Sequence, residues 1–421
     1  MRKWTWSLAV LAWLTFASAN ASAECPADTA LQPGNVSQVA NRVYEAGPQR
    51  AHKALVEGMA QARQSVPGRV RSLDINVVPE FSTSGASELN EYTADVALTV
   101  ELGRLAELRR EQYAALGDEA RAQVEQHRWE YVFAVQSAYL DWWTYALEAA
   151  HLDAYVDEAS ADLDPLRDAL EKQQIAAIDV ADMEAELARI RAERLEARQR
   201  ANAASAELAR LLGGRCELAS VEVEHKPSKN VAASNPWKAL ASKVDQFPSV
   251  KALQARQKSA LAGAEAARAQ APWELSVGAG MRSVGFDEYW AQGVIGLSIP
   301  LGNPAAPEAD ELQAAAIAAR AESDWQLEQL RAGLAARADR YSAAVSTFES
   351  LNDDYLAPLE KRQKMLDAAV DRGRVSVDRV IRARRDLHEA YHKLLMLRAQ
   401  IQTNHMRAEA MQRWLADDQD R

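Results

Sequence analysis

Residues 96–103 read VALTVELG, and residues 294–302 read VIGLSIPLG, two alternating runs that end in Leu-Gly. They belong to a longer self-similarity. Pro48 in YEAGPQRA answers Pro248 in DQFPSVKA, and Leu73, Ile75 and Val77 answer Trp273, Leu275 and Val277. Leu98, Val100 and Leu102 answer Leu297, Ile299 and Leu301. All these pairs lie 199 or 200 positions apart. A fixed internal spacing is how a duplicated unit reads, so the chain is expected to hold two copies of one design. Each half runs helix, strand, loop, strand, very long helix, turn, long helix.

The helices carry most of the mass. Ala, Leu, Glu, Arg and Gln recur at helical spacing, the composition of long helices and coiled coils. In the first half the spacing predicts helices over 36–65, 104–172 and 176–213, and in the second over 237–270, 307–372 and 375–417. At about 1.5 Å per residue, the longest in each half would extend to roughly 100 Å, too long for a globular domain. Pro165 and Pro358 fall inside these spans and predict kinks. Val380, Leu387, Leu394 and Ile401 fall seven apart, with Ala383, Ala390 and Leu397 three residues after the first three. That is a heptad seam with small d residues, which favours close approach of helices. The halves meet at a polar, Pro-containing linker, 225–236, which divides a first repeat, 24–224, from a second, 237–421.

Four segments, 71–81, 92–102, 273–282 and 290–301, alternate apolar with polar or small residues. Each matches the roughly 9–11 residues that a tilted strand needs to cross a bilayer. The alternation is that of a wall with lipid on one side and water on the other. Tyr92, Phe286, Tyr289 and Trp290 stand near strand ends, where aromatic girdles sit. Two soluble hairpins are the alternative reading. In lipid an open sheet would leave its edge N–H and C=O groups unsatisfied, and four strands are too few to close, so several chains would have to share one barrel.

Arg2 and Lys3, an apolar run from Trp4 to Phe16 and the ending Ala21-Ser22-Ala23 read as a signal peptide over 1–23. Glu24 precedes Cys25 where a lipobox needs a small residue. The only cysteines, Cys25 and Cys216, would enter an oxidising space, where they either pair as a disulfide or stand as two thiols. The net charge of −11 argues against nucleic acid as a partner, since phosphate binding needs a basic face.

The layout, with GVIGLSIPLGN running into an Ala-rich helix and DRGRVSVDRVIRARRDLHEA in the last hairpin, resembles the TolC-type outer-membrane efflux (outer membrane factor) family. The resemblance spans nearly the whole mature chain and rests on the duplicated order of elements. It implies a mainly α fold with a membrane β-barrel. Three subunits would form a twelve-stranded barrel in outer-membrane lipid of a Gram-negative bacterium, standing on an α-helical coiled-coil tunnel through the periplasm. The partners it implies are two sister subunits, a periplasmic adaptor (membrane fusion) protein and an inner-membrane pump.

In that family the helix-to-helix turns form the periplasmic mouth, with a pattern like G-x-x-S-x-x-D-V-L-D. Gly373, Val375 and Ser376 match its start, but Arg379 and Arg382 stand at the acidic positions. The first repeat carries Asp179-Val180-Ala181-Asp182 at the same spacing. The expectation is that Asp179 and Asp182 pair with Arg379 and Arg382 around the mouth, with solvated charges in helix first turns as the plainer alternative.

His388-Glu389-Ala390-Tyr391-His392 spells H-E-x-x-H, a zinc-protease helix. A catalytic zinc needs a third protein ligand, but Leu395 and Arg398 stand where the next glycine and histidine would be. Leu387 and Leu394 bracket the motif in the heptad seam, so these histidines ride a coiled-coil helix. No Gly-rich phosphate loop, G-x-S-x-G elbow or cysteine cluster is written either. Neither a metal nor any other cofactor is expected, and no enzyme activity. The reading is a passive outer-membrane exit duct of a tripartite efflux or type I secretion system. The alternative is a soluble periplasmic coiled-coil scaffold or adaptor.

Overall fold

The computed structural model describes residues 30–65, 70–81, 90–214, 216–221, 234–270, 272–284, 288–370 and 377–417. Residues 1–23, expected to be a signal peptide, Cys25 and most of the expected linker lie outside them. The chain divides into two compact units. One draws on residues up to Arg50, on His127–Val244 and on Leu330–Arg421; the other on Ala51–Gln126 and Asp245–Gln329.

In chain order the elements are α1 (Val36–Ala46), α2 (Pro48–Gln64), β1 (Val70–Phe81), β2 (Asn90–Glu101), α3 (Leu105–Ala161), α4 (Leu163–Glu171) and α5 (Ala177–Leu212). There follow α6 (Pro236–Ala241), α7 (Pro248–Arg268), β3 (Glu274–Val284), β4 (Glu288–Ser298), α8 (Ala306–Ser350), α9 (Ala357–Val370) and α10 (Val377–Asp417). Among the described residues no helix is long and apolar enough to cross a membrane.

Several helices expected to run unbroken are interrupted, each for a local reason. The span 36–65 breaks at Gly47, and Pro48 opens α2, because proline at a first helical position loses no hydrogen bond. Pro248 likewise opens α7, so the span 237–270 is α6, a 3₁₀ turn at Val244–Gln246 and α7. The span 104–172 breaks at Asp162, three residues before Pro165, and 307–372 passes through a π-helical turn, Leu351–Leu356, just before Pro358. Proline has no N–H to give and its ring crowds the preceding turn, so each long helix yields one turn upstream of it. β4 ends at Ser298 rather than at residue 301, since Pro300 cannot donate to a ladder.

In the helical unit, one core gathers Leu31, Val36 and Val39 against Val135, Tyr139 and Trp142 of α3 and Leu208 and Leu212 of α5. The backbone N–H of Leu31 donates to Glu217 O at 2.8 Å, fixing the chain ahead of α1 beside the segment after α5. A second core packs Leu152, Val156 and Ala159 of α3 and Leu166 of α4 on Val180, Leu187 and Ile190 of α5. Gly213 ends α5 in the left-handed region (φ 73°), which glycine adopts without a Cβ penalty. Asn235 caps α6, its Oδ1 accepting from the Trp237 N–H at 3.2 Å, and the Arg337 guanidinium lies 5.1 Å above the buried Trp237 ring. On α10 the seam residues Val380, Ala383, Ala390, Leu394 and Ile401 are all buried.

The other unit holds a four-stranded sheet, antiparallel in the order β1-β2-β3-β4. Asn303 joins its helices: Oδ1 accepts from the Ala305 N–H at 2.9 Å, and Nδ2 donates to Ala267 O and Arg268 O at the end of α7. Beneath it Ala267, Ala305 and Ala309 form a small-residue cluster.

Candidate functional site

Register turns the four strands into a sheet with two unlike faces. Leu73, Leu98, Val277 and Ile295 stand in one cross-strand row, and Ile75, Val96, Ala279 and Gly293 in the next such row on the same side. On the opposite side, Ser72, Thr99, Ser276 and Gly296 form a row, followed by Asp74, Ala97, Gly278 and Val294, and by Asn76, Asp95, Gly280 and Gln292. Because successive side chains point to opposite faces, four in-register strands present one apolar wall and one polar wall. The apolar wall is bare. Leu73, Ile75, Met281 and Ile295 are between 54% and 80% exposed, far from the burial such residues take in a core.

On the polar wall the Ser72 hydroxyl donates to Asp74 Oδ2 at 2.8 Å, and Asn76 Nδ2 lies 3.4 Å from Asp95 Oδ2. Arg282 of β3 stands in the row of Thr93. Gly278 and Gly280 hold β3 close to β2, since a Cβ on either would come within 2.8 Å of a β2 carbonyl oxygen. Asp74, Asp95 and Arg282 were not among the expected site residues. Their strand parity relative to Ile75, Val96 and Met281 is the signal that locates them. Among the described residues β1 and β4 each pair on one side only, so both outer strands carry an edge with no strand beside it there.

The second candidate lies in the helical unit, where α4 turns into α5. Asp179 sits in the first turn of α5, where its Oδ2 accepts the Ala176 N–H at 3.1 Å and complements the helix dipole. Its Oδ1 lies 3.6 Å from Arg382 Nη2 of α10, with Arg382 56% exposed. Asp182 lines the same cleft, together with Met183, Glu186 and Ile381. Among the described residues neither Asp182 nor Arg379 has an ion-pair partner, and Gly373 and Ser376 lie outside them. Of the four charges expected around the mouth, one acid and one base meet within a single chain. Cys216 is disulfide-bonded, while Cys25 lies outside the described residues.

Other contacts along α10 were not foreseen. Arg384 reaches Asp162, at the α3–α4 break, at 2.8 Å and Asp367 of α9 at 3.9 Å. Burial raises the Asp162 carboxyl above its ordinary range, with the Arg384 charge opposing. Tyr391 Oη donates to Glu360 Oε1 at 2.7 Å, and burial pushes that phenol up.

The H-E-x-x-H residues do not converge on one point. His388 Nε2 is 2.6 Å from Glu158 Oε2 and its ring stacks on Tyr155, whereas His392 stacks on His151. Among the described residues no three His, Cys, Asp or Glu side chains come together as a metal-binding set. Trp142 packs in the first core against Tyr139, 5.5 Å between ring centroids.

No protein-family model matches the chain, and no curated protein matches it in sequence. Solved structures do match. The outer membrane protein VceC from Vibrio cholerae aligns with a TM-score of 0.66 at 14% identity, over 89% of this chain and 95% of that one. The open state of the MtrE outer membrane channel of Neisseria gonorrhoeae aligns with a TM-score of 0.59 at 14% identity, over 89% and 88%. CusC, described through its folding and transmembrane channel formation, aligns with a TM-score of 0.58 at 17% identity, over 89% and 91%. The chain thus has the fold of the TolC-type outer-membrane channels.

Proposed function

We propose that the chain is one subunit of a trimeric outer-membrane exit duct, passive in itself and driven by a partner pump in the inner membrane. The observation that carries this reading is the sheet: a bare apolar face, a polar face and, among the described residues, two edges with no strand beside them. In hydrocarbon each unsatisfied edge group costs several kcal/mol, so such a sheet is stable there only if its edges find partners. The β1 edge of one copy can take the β4 edge of the next, and three four-stranded sheets then close as twelve strands, apolar outward and polar toward the lumen. The channel names of the structural neighbours support the same reading.

On this reading the chain sits in the outer membrane of a Gram-negative bacterium, its helices form a periplasmic tunnel, and an adaptor protein joins it to the pump. The duct does no covalent chemistry and needs no cofactor. Asp179 and Arg382, with Asp182, Arg379, Gly373 and Ser376, belong to its periplasmic mouth. An exposed pair such as Asp179–Arg382 contributes only about 0.2–1 kcal/mol, so three copies bias a gate without locking it. The cargo is set by the pump.

Fractionation tests the proposal. The protein should leave the membrane fraction only with detergent and sediment as a trimer. Recovery as a detergent-free monomer would instead identify a soluble periplasmic scaffold or adaptor.

A further inference from the structure

We propose that α8 carries a seam for α2 of a second copy, so that sister chains meet along helices as well as along strand edges. The inference rests on the closure proposed above, in which the β4 edge of one copy takes the β1 edge of the next. β1 leaves from α2 and β4 returns into α8. Antiparallel closure therefore brings the end of one copy's α2 beside the start of its neighbour's α8.

Within one copy, α7 has a helix on each side. A Cβ added to Gly263 would touch both Leu312 of α8 and Gln112 of α3, and Lys258 holds Asp118 of α3 at 3.1 Å. Over residues 306–329, α8 is different. Ala309, Ala316, Ala319 and Ser323 are buried, and at 3.6 residues per turn they share one face. On the opposite face stand Ala314, Ala318, Ala321 and Trp325, all exposed, with Ile317 at its margin. Ile317 and Trp325 are each 64% exposed. A helix in the wall of a closed ring has a neighbour on both sides and needs an apolar seam toward each. α8 has the two seams, and its own chain covers one.

The matching surface is on α2. Ala54, Gly58 and Ala62 stand four apart, one above another along the helix, and Ala54 and Gly58 are exposed. A Cβ added to Gly58 would meet nothing within 4 Å, so the space beside it is open in one copy. The depths agree. At about 1.5 Å per residue, Ala314 and Ile317 lie roughly 12 and 17 Å from the start of α8, while Gly58 and Ala54 lie roughly 9 and 15 Å from the end of α2. Charge favours the same partner. Over 306–329, α8 carries Glu308, Asp310, Glu311, Glu322, Asp324 and Glu328 against Arg320, whereas α2 over 51–64 carries Lys53 and Arg63 against Glu57. Glu322 reaches Arg256 of α7 at 3.9 Å, which still leaves α8 with an acidic excess. A second copy thus offers a basic helix with small residues where an acidic one projects Ile317.

The test is photo-cross-linking of the full chain in detergent, with p-benzoylphenylalanine in place of Ile317 and assembly from light and heavy-isotope copies. The expected result is an adduct between copies that maps to residues 51–64. Ile317→Asp and Gly58→Leu should each deplete the trimer several-fold, while Ile317→Leu keeps it. Leucine favours helix over glycine, so loss of trimer in Gly58→Leu reports a filled space and not a weakened helix. Suppose the wild type is trimeric, but its adducts fall within one copy, on detergent or on another segment, or both variants stay fully trimeric. The seam is then overturned and the strand closure stands. A wild type that is monomeric in detergent overturns the closure and the seam with it. Should Ile317→Asp fail to fold, the adduct and Gly58→Leu decide.

Discussion

Val96 lies near the middle of β2 on the apolar wall, and the neighbouring Ala97 points to the polar wall beside Asp74. Val96→Arg and Ala97→Arg therefore place the same charge one residue apart on opposite faces. If the apolar wall faces lipid, an arginine at mid-depth costs about 2–4 kcal/mol per copy, or about 6–12 kcal/mol in a barrel of three. The Ala97→Arg guanidinium would meet water and the Asp74 carboxylate, and the expected cost is under about 1 kcal/mol. The Val96→Arg estimate does not depend on packing beneath the residue, because Val96 is 46% exposed within its own subunit. The assay is assembly into lipid vesicles, read as heat-resistant trimer on gels, with urea titration of the assembled fraction. Val96→Arg should abolish or strongly reduce trimer, while Ala97→Arg should leave it near the wild-type level. Equal behaviour of the two, or undiminished assembly of Val96→Arg, would refute the assignment of faces and with it the membrane barrel.

Reversing Arg379 and Arg382 to Asp removes the Asp179–Arg382 pair and sets like charges together, so single-channel conductance should rise; three copies of such a pair are worth about 0.6–3 kcal/mol, and unchanged conductance would remove the gate. Peptide mapping of the unreduced protein should find Cys216 joined to Cys25, and Cys216→Ser should lower stability by about 2–4 kcal/mol in thermal unfolding. A free thiol titrating in the denatured, unreduced protein would exclude that bond. Ile190 is fully buried between α3 and α5, so Ile190→Ala should cost about 2–5 kcal/mol by denaturant unfolding. A loss below about 0.5 kcal/mol would show that this seam is not packed as described.

Much of the architecture was legible because each long segment declares its own period. The alternation of Leu73, Ile75 and Val77 and the heptads from Val380 to Ile401 are local facts of the chain, and they name strand and helix without reference to a partner. The helix breaks were less legible. Pro165 and Pro358 mark the neighbourhoods, yet the yielding positions are Asp162 and the turn at Leu351–Leu356, since the clash falls on the preceding turn. Gly47 and Pro248 stop helices that composition alone would continue. At the charged turn, the repeat spacing aligned Asp179 and Asp182 with Arg379 and Arg382, but spacing does not specify which side chains come within reach. Only Asp179 and Arg382 do so within the described residues of one chain.

The alternation that gives the strands two unlike faces, and the helical spacing of the long segments, can be read from the sequence alone. Each follows from which side of a segment must avoid water, a property the segment carries with it. Tertiary structure alone decided that β2 of the first half pairs with β3 of the second, that Arg384 grips Asp162, and that His151 stacks on His392. These partners are far apart in the chain, and neither member's local pattern names the other. They are selected by the packing of whole helices and strands, in which each contact is set by all the others.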